Sequence, residues 1–179
     1  MKKRLFIAID VPKKIKAKIT SFQNHLKTKI QEAVWAKQNN IHLTSVFLGD
    51  TDYNQIPEII SLLNRLQDDA FEVSFSEIGG FPSQNKAHTL YLGFKENLAL
   101  YYLQEKIKKR LEKLDIRIDD KEFVPHLTIA RLKRPKDLEK LKLSVVNLGK
   151  FSVKEFILYE SELNSDGQKH TPIKKFYLL

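Results

Sequence analysis

Residues 41–49 read Ile-His-Leu-Thr-Ser-Val-Phe-Leu-Gly, and 84 positions further on residues 125–132 read Pro-His-Leu-Thr-Ile-Ala-Arg-Leu. Both stretches place His-Leu-Thr within a run of aliphatic and β-branched residues, which is typical of a buried strand. Successive side chains of a strand point to opposite faces. Each stretch is therefore predicted to be a strand that presents its histidine and threonine on one face and buries the intervening leucine behind the other.

The motif repeat extends to the order of the predicted elements. A strand-helix-strand-strand-helix-strand pattern runs through the first half and begins again after the glycine-proline segment 79–86. Repetition at a fixed spacing indicates a duplicated α+β unit. We predict one domain of two lobes, about 1–82 and 83–179, related by a pseudo-twofold axis at the motif strands, with the C-terminal strand as a candidate to return to the first lobe.

Hydrophobic periodicity gives approximate bounds for these elements. Strands are predicted at Lys3–Ile9, Val34–Ala36, Ile41–Leu48, Ala70–Ile78, Thr89–Phe94, Ile116–Ile118, His126–Leu132, Phe151–Leu163 and Ile173–Leu178. Helices are predicted where apolar residues recur at helical spacing, at Ile15–Ile30, Ile56–Leu66 and Leu100–Leu114, with a shorter helix at Pro135–Leu141.

Composition narrows the class of protein. The chain has 179 residues, 42% of them hydrophobic, which is enough for a substantial core. Its net charge of +9 suits a polyanionic partner such as nucleic acid.

No apolar run approaches the ~20 residues of a membrane helix. The apolar N-terminal run breaks at Asp10, so a first strand is predicted there rather than a signal peptide. The absence of cysteine excludes disulfides and thiolate metal sites and favours the cytoplasm.

The two motifs carry the candidate chemistry. If the strands meet, His42, Thr44, His126 and Thr128 bring two imidazoles and two hydroxyls to one cleft. An imidazole with a pKa near ~6.5 can act as a general acid or as a general base. A lone strand histidine is more often a hydrogen-bonded core residue, but two unrelated core histidines would have no reason to share a following Leu-Thr at equivalent places.

Other residues near the motifs are weaker candidates. Arg131 suits a phosphate, since a guanidinium matches two of its oxygens, but strict alternation places it on the face opposite the motif histidine. Strict alternation also places Phe47 on the face opposite its motif histidine. We therefore expect Phe47 to pack in the core rather than to stack on a base. His25, His88 and His170 have no partners at useful spacing and are expected at the surface.

The chain resembles the two-histidine (2H) phosphoesterase superfamily, and more closely its RNA 2′,3′-cyclic phosphodiesterase branch, also called the 2′-5′ RNA ligase family. The resemblance runs nearly end to end. The segments that carry it are residues 4–10, 40–44 with 47–49, 80–82 with 90–93, 125–131 and 158–163. Family members often have a basic residue after His-x-Thr-x in the first motif, where this chain has Ser45 and Val46.

The resemblance implies antiparallel sheets that face a central cleft, with helices outside. It also implies metal-independent hydrolysis of a terminal 2′,3′-cyclic phosphate to a 2′-phosphomonoester, and in some members 2′-5′ joining of RNA ends. Following the family, His126 is the general base on water and His42 the acid on the departing 3′ oxygen. Thr44 and Thr128 would donate hydrogen bonds to the phosphate oxygens, with Arg131 as a further phosphate ligand.

Two other functions remain open. One keeps the site and changes the substrate to a small cyclic or 2′-5′ nucleotide, and the other is a non-catalytic module that binds RNA ends. No His-x-x-x-His pair or glycine-rich phosphate loop is present, so neither a metal nor any other cofactor is expected. The expected partner is RNA with a 2′,3′-cyclic phosphate end, tRNA fragments among the candidates. No membrane partner is expected, and the chain is expected to be a monomer.

Overall fold

A computed structural model describes residues 1–116, 118, 121–141, 143, 147–165 and 167–179. The nine strands of this part are β1 Lys2–Asp10, β2 Ala33–Trp35, β3 His42–Asp52, β4 Phe71–Phe81, β5 Ala87–Phe94, β6 His126–Lys136, β7 Lys150–Val153, β8 Glu155–Asn164 and β9 Gly167–Tyr177. Its three α-helices are α1 Lys13–Lys27, α2 Ile56–Asn64 and α3 Leu98–Leu111.

The strands form two antiparallel sheets. The first sheet has the order β3-β1-β8-β9, and the second has the order β2-β6-β5-β4-β7. Each motif strand pairs with the first strand of its own half, β3 with β1 and β6 with β5. The outer neighbours are exchanged between the halves, because β4 joins the second sheet and β8 the first.

The core is formed by apolar faces of the helices against the sheets. On α1 the buried residues are at helical spacing, as predicted, and they pack in one cluster with the alternating residues Leu5, Ile7 and Ile9 of β1. α3 buries an equivalent stripe and packs against β3. No α-helix in the described part of the chain is long and apolar enough to cross a membrane.

Four predicted elements differ from the structure. The segment Pro135–Leu141 is not a helix, because β6 continues to Lys136 opposite Ala87 and a turn follows. Ile116 and Ile118 are outside any strand, and Arg117 between them lies outside the described residues. The predicted strand Phe151–Leu163 is divided between β7 and β8, since the chain leaves one sheet and enters the other at Lys154.

The fourth difference concerns Gly79 and Gly80, because the predicted strand Ala70–Ile78 ends before them and β4 continues through them to Phe81. A glycine in a strand commonly marks the close approach of another group. A Cβ at position 79 would lie 2.1 Å from Cζ of Tyr91 on the neighbouring strand β5. The absence of a side chain at this position therefore lets the Tyr91 ring lie across β4.

Candidate active site

Each His-x-Thr motif is followed by a β-bulge. In the β1–β3 pair, Ala8 is opposite Thr44 and Ile7 is opposite Val46, so Ser45 is an extra residue. The β5–β6 pair repeats this irregularity, since Tyr91 is opposite Thr128 and Leu90 is opposite Ala130. Ile129 is the extra residue there. Both strands thus have two residues where the partner strand has one.

The bulge reverses the alternation of the side chains. Before it, His126 and Thr128 share a face of β6 with Tyr91 of β5; after it, Arg131 is paired with Thr89, two residues from Tyr91. Arg131 is therefore turned to the face of the motif residues, although strict alternation predicts the opposite face. Phe47 of the first motif is turned in the same way through its pairing with Phe6.

A cavity of about 400 Å³ is lined by residues from both sheets. Four of the five predicted site residues are among its lining: Thr44 of the first sheet and His126, Thr128 and Arg131 of the second. Phe47 also lines it, with 36% of its surface exposed and the Arg4 guanidinium 5.2 Å above its ring. The predicted core packing of Phe47 is therefore wrong, because the bulge places the ring at the cavity instead.

His126 is held by its backbone and by two aromatic rings. Its Nδ1 lies 2.6 Å from the carbonyl oxygen of Val124. A carbonyl oxygen only accepts, so Nδ1 carries the proton and Nε2 of the neutral ring keeps a lone pair. The rings of Phe81 and Tyr91 approach the imidazole edge-on, with centroids 4.9 and 5.4 Å from its own. Burial lowers the pKa of His126, although the hydrogen bond to the Val124 carbonyl acts to raise it.

His42 lies on the same face of β3 as Thr44 but is not among the residues that line this cavity. It hydrogen-bonds the backbone of Asn40, two residues earlier, as His126 does that of Val124. Three rings surround it: Phe6 and His170 have centroids 4.9 and 5.0 Å away, and Tyr159 is at 6.2 Å. The first-motif imidazole is thus more enclosed than the second.

The surroundings of His42 disfavour its charged form. Its pKa is lowered to about 4, first by burial and then by the nearby imidazole of His170 and ammonium of Lys16. The Asn40 hydrogen bond and the Asp10 carboxylate oppose this effect. Lys16 is itself buried and paired with Asp10 at 2.6 Å. At neutral pH and without ligand, His42 is therefore a neutral imidazole.

A groove of about 630 Å³ lies beside residues that contact His42. Tyr159 and His170, which both contact the His42 ring, form part of its wall. Its other polar side chains come from the end of β1, from α1, from the turn before β3, and from β7 and the start of β8: Asp10, Lys13, Lys16, Gln38, Asn39, Ser152, Lys154 and Glu155. His42 thus stands between residues of the groove and Thr44 of the cavity.

Sequence reasoning missed the aromatic rings around both histidines and misplaced one residue. His170 was predicted to be at the surface, and this prediction is wrong, because β9 pairs with β8 and brings the His170 ring against His42. His25 and His88 are exposed, as predicted. Alternation along β1 places Phe6, Ala8 and Asp10 on one face, so the sequence indicated an aromatic ring on that face. The β1–β3 register was needed to show that this is the face of His42 and Thr44.

The described residues contain no group of three or more His, Asp and Glu side chains placed to hold a metal ion. The predicted site residues that the structure does bring together carry nitrogen and oxygen groups, which can form hydrogen bonds and, in the imidazole, exchange a proton. Their placement, with one His-x-Thr strand in each of two antiparallel sheets, defines a two-histidine α+β architecture.

Comparison with known proteins gives the family. The profile of the 2′-5′ RNA ligase superfamily matches residues 11–164, and the chain belongs to this family. The RNA 2′,3′-cyclic phosphodiesterase of Methanocaldococcus jannaschii is 34% identical over 97% of this chain and 99% of its own length. The protein of the same name from Archaeoglobus fulgidus is 29% identical, with 97% and 99% covered.

Solved structures share the architecture. The crystal structure of TT0787 of Thermus thermophilus superposes with a TM-score of 0.85 at 26% identity, over 97% of each chain. The apo form of Escherichia coli LigT gives a TM-score of 0.83 at 22% identity, over 99% of this chain and 98% of LigT. The predicted α+β fold with antiparallel sheets is confirmed by this likeness.

Proposed function

We propose that this protein hydrolyses 2′,3′-cyclic phosphate ends of RNA to 2′-phosphomonoesters. The observation that carries the proposal is the cavity where Thr44 meets His126, Thr128 and Arg131, with His42 on the same face as Thr44. Membership of the 2′-5′ RNA ligase superfamily and the shared name of the curated relatives support the same reaction. The reaction needs a base for the attacking water and an acid for the departing ribose oxygen.

His126 is the proposed base. Its Nδ1–H donates to the Val124 carbonyl, so the Nε2 lone pair is the group available to take a proton from water. Its lowered pKa keeps the ring neutral at neutral pH, which is the state that a base requires. The Phe81 and Tyr91 rings restrict the imidazole to this orientation.

His42 is the proposed acid, which must carry a proton when the substrate is bound. The free protein disfavours that proton, because the pKa of His42 is about 4. A cyclic phosphate carries one negative charge, and an anion within about 4–6 Å raises the pKa of an imidazole. Substrate binding would thus raise the pKa of His42 and favour the charged form that an acid requires.

The two threonines and the arginine are proposed to hold the phosphate. The Thr44 and Thr128 hydroxyls face the cavity from the two sheets, and each can donate to a non-bridging oxygen. A fixed donor at such an oxygen lowers a barrier by roughly 3 kcal/mol. Arg131 can pair with two oxygens at once, and it is exposed at the cavity wall.

The groove beside His42 is proposed to receive the terminal nucleoside. The acid protonates the 3′ oxygen, which belongs to the ribose, so the nucleoside must lie on the side of His42. Tyr159 and His170 would contact the sugar or base there, and Gln38 and Asn39 offer hydrogen-bonding amides. In the same step, with the 5′ hydroxyl of another RNA in place of water, the bond to the 3′ oxygen would break and the two RNAs would be joined by a 2′-5′ linkage.

The test is product identity in the presence of excess EDTA. A short RNA with a 2′,3′-cyclic end is incubated with the protein, and the phosphomonoester formed is identified by digestion and chromatography. We expect a 2′-phosphate. A 3′-phosphate product would contradict the assignment of the leaving oxygen, loss of turnover in chelator would contradict metal independence, and no product at all would favour a non-catalytic RNA-end-binding module. We further propose that the protein acts in the cytoplasm as a monomer.

A further inference from the structure

Gln23 is a buried polar residue of helix α1, with 3% of its surface exposed. Its side-chain amide reaches out of the first half of the chain to the second motif strand. The Nε2 group donates to the carbonyl oxygen of Ile129 at 2.9 Å and to that of Ala36 at 3.0 Å. Ile129 is 106 positions away in sequence.

The acceptor of this hydrogen bond is the bulge residue of the second motif. The Ile129 carbonyl also accepts from the Ala36 backbone N–H at 2.9 Å, just beyond the end of the β2–β6 ladder. Gln23 therefore bonds both residues of the Ala36–Ile129 pair, which follows the last ladder pair at the point where β6 bulges. A bulge leaves an extra residue outside the regular ladder, so a side chain that bonds its carbonyl helps to fix the bulge in place.

The two motifs differ in this support. The residue 84 positions after Gln23 is Ile107, a fully buried residue of α3, which packs against β3. The bulge residue of the first motif is Ser45, whose buried hydroxyl has no hydrogen-bond partner among the described residues. The amide brace thus occurs at the motif whose bulge turns an arginine to the cavity. The first motif, without such an amide, turns Phe47 instead.

We propose that Gln23 is a positioning residue for Arg131. It holds the Ile129 bulge, and the bulge sets the face of β6 on which the guanidinium lies. The inference rests on the proposed function only in taking Arg131 as a phosphate ligand. Gln23 does not line the cavity. It acts on Arg131 through its hydrogen bond to the Ile129 backbone and has no contact with the substrate.

The test is a double-mutant cycle of Gln23→Met and Arg131→Ala, read as kcat/KM on a cyclic-ended RNA. Gln23→Met keeps the length of the side chain and removes both hydrogen bonds. We expect a loss of about tenfold in kcat/KM in the wild-type background, and almost none in the Arg131→Ala background, because coupled residues are non-additive. An equal loss in both backgrounds would overturn the proposal.

The matched control is Thr51→Val. Thr51 is also 3% exposed, and its hydroxyl donates to the Leu48 carbonyl at 3.2 Å near the far end of β3. It should lower stability without changing kcat/KM. If Thr51→Val lowers kcat/KM as much as Gln23→Met does, general destabilisation is the cause and the proposal is wrong. Gln23→Asn, which keeps the amide and shortens its reach, replaces Gln23→Met in the cycle if that variant does not fold.

Binding of inorganic phosphate gives the same comparison without turnover. Dissociation constants are measured by NMR titration for the wild type, both single variants and the double variant. Weaker phosphate binding in Gln23→Met, absent from the Arg131→Ala background, supports the proposal, and unchanged binding contradicts it. A wild-type protein that binds phosphate but releases no 2′-phosphate would refute the proposed function alone, so the two failures are distinct.

Discussion

His42 and His126 are held alike and surrounded differently. Each bonds the backbone of the residue two positions earlier, Asn40 or Val124, which fixes the ring relative to its own strand. The neighbours then separate them. The rings of Phe81 and Tyr91 contact His126, whereas His42 contacts a second imidazole and lies near the Lys16–Asp10 ion pair. The same motif therefore gives two imidazoles whose pKa values are both lowered, but in different surroundings.

The lowered pKa values predict an acidic optimum for kcat/KM. This parameter reports free-enzyme pKa values, and the active form needs one imidazole protonated and the other neutral. The protonated fraction of His42 falls as the pH rises through about 4, and the neutral fraction of His126 falls as the pH drops through its own lowered pKa. Since both values lie below ~6.5, we expect a bell-shaped profile with its maximum below pH 6.5.

The profile of kcat should lie at higher pH than that of kcat/KM, because the bound phosphate anion raises both pKa values. Both parameters are measured on a cyclic-ended dinucleotide, with His88→Ala as the control, since His88 is exposed. A maximum of kcat/KM above pH 7 would contradict the lowered pKa values.

At the scale of the strand, the bulges decide which residues reach the site. Alternation was sufficient to predict the common face of His42 with Thr44 and of His126 with Thr128, because no irregularity lies within either motif. It failed for Arg131, since a bulge is a property of the pairing of two strands and leaves no local pattern in one of them. Phe47 was assigned to the core for the same reason.

The glycine in β4 gives a prediction at this scale. Gly79→Ala would bring a Cβ within 2.1 Å of Tyr91 Cζ, so the Tyr91 ring must move, and it contacts His126. We expect a lower kcat and a shifted His126 imidazole signal by NMR, with about 1–3 kcal/mol lost in unfolding free energy.

Gly80→Ala is the matched control. Its Cβ would lie 2.5 Å from Ala87 Cβ and 2.7 Å from Leu138 Cδ1, a similar crowding at groups that do not contact His126. It should cost comparable stability and leave the His126 signal in place. Equal effects of the two variants on kcat would show that crowding alone, and not the Tyr91 ring, lowers the rate.

At the scale of the whole molecule, the two motif strands were readable from sequence and the exchange of strands between the sheets was not. In both halves a strand and a helix come before the motif strand, β1 and α1 before β3 and β5 and α3 before β6, although the first half also has β2 before its motif strand and α2 after it. The choice of sheet by β4 and β8 depends on pairing between distant segments, for which a single sequence carries no local indication. That exchange brings Tyr159, and through β9 also His170, to the first-motif histidine.

The net charge of +9 predicts how the substrate classes separate with salt. Affinity for a long RNA should fall steeply between about 50 and 200 mM salt, because each phosphate contact releases counterions. A cyclic-ended dinucleotide should show a much smaller change. The measurement is KM for both substrates across this salt range. Equal slopes would favour a small nucleotide as the natural substrate.

The central claim is that His42 and His126 transfer protons at one phosphorus atom. It is tested most directly by the single-turnover rates of His42→Ala, His126→Ala and the double variant on a cyclic-ended RNA. Residues that act as a unit are strongly non-additive. We predict that each single change lowers the rate by at least about 100-fold and that the double variant is no slower than the slower single one. Two losses that multiply, or a His42→Ala variant with the wild-type rate, would contradict the claim.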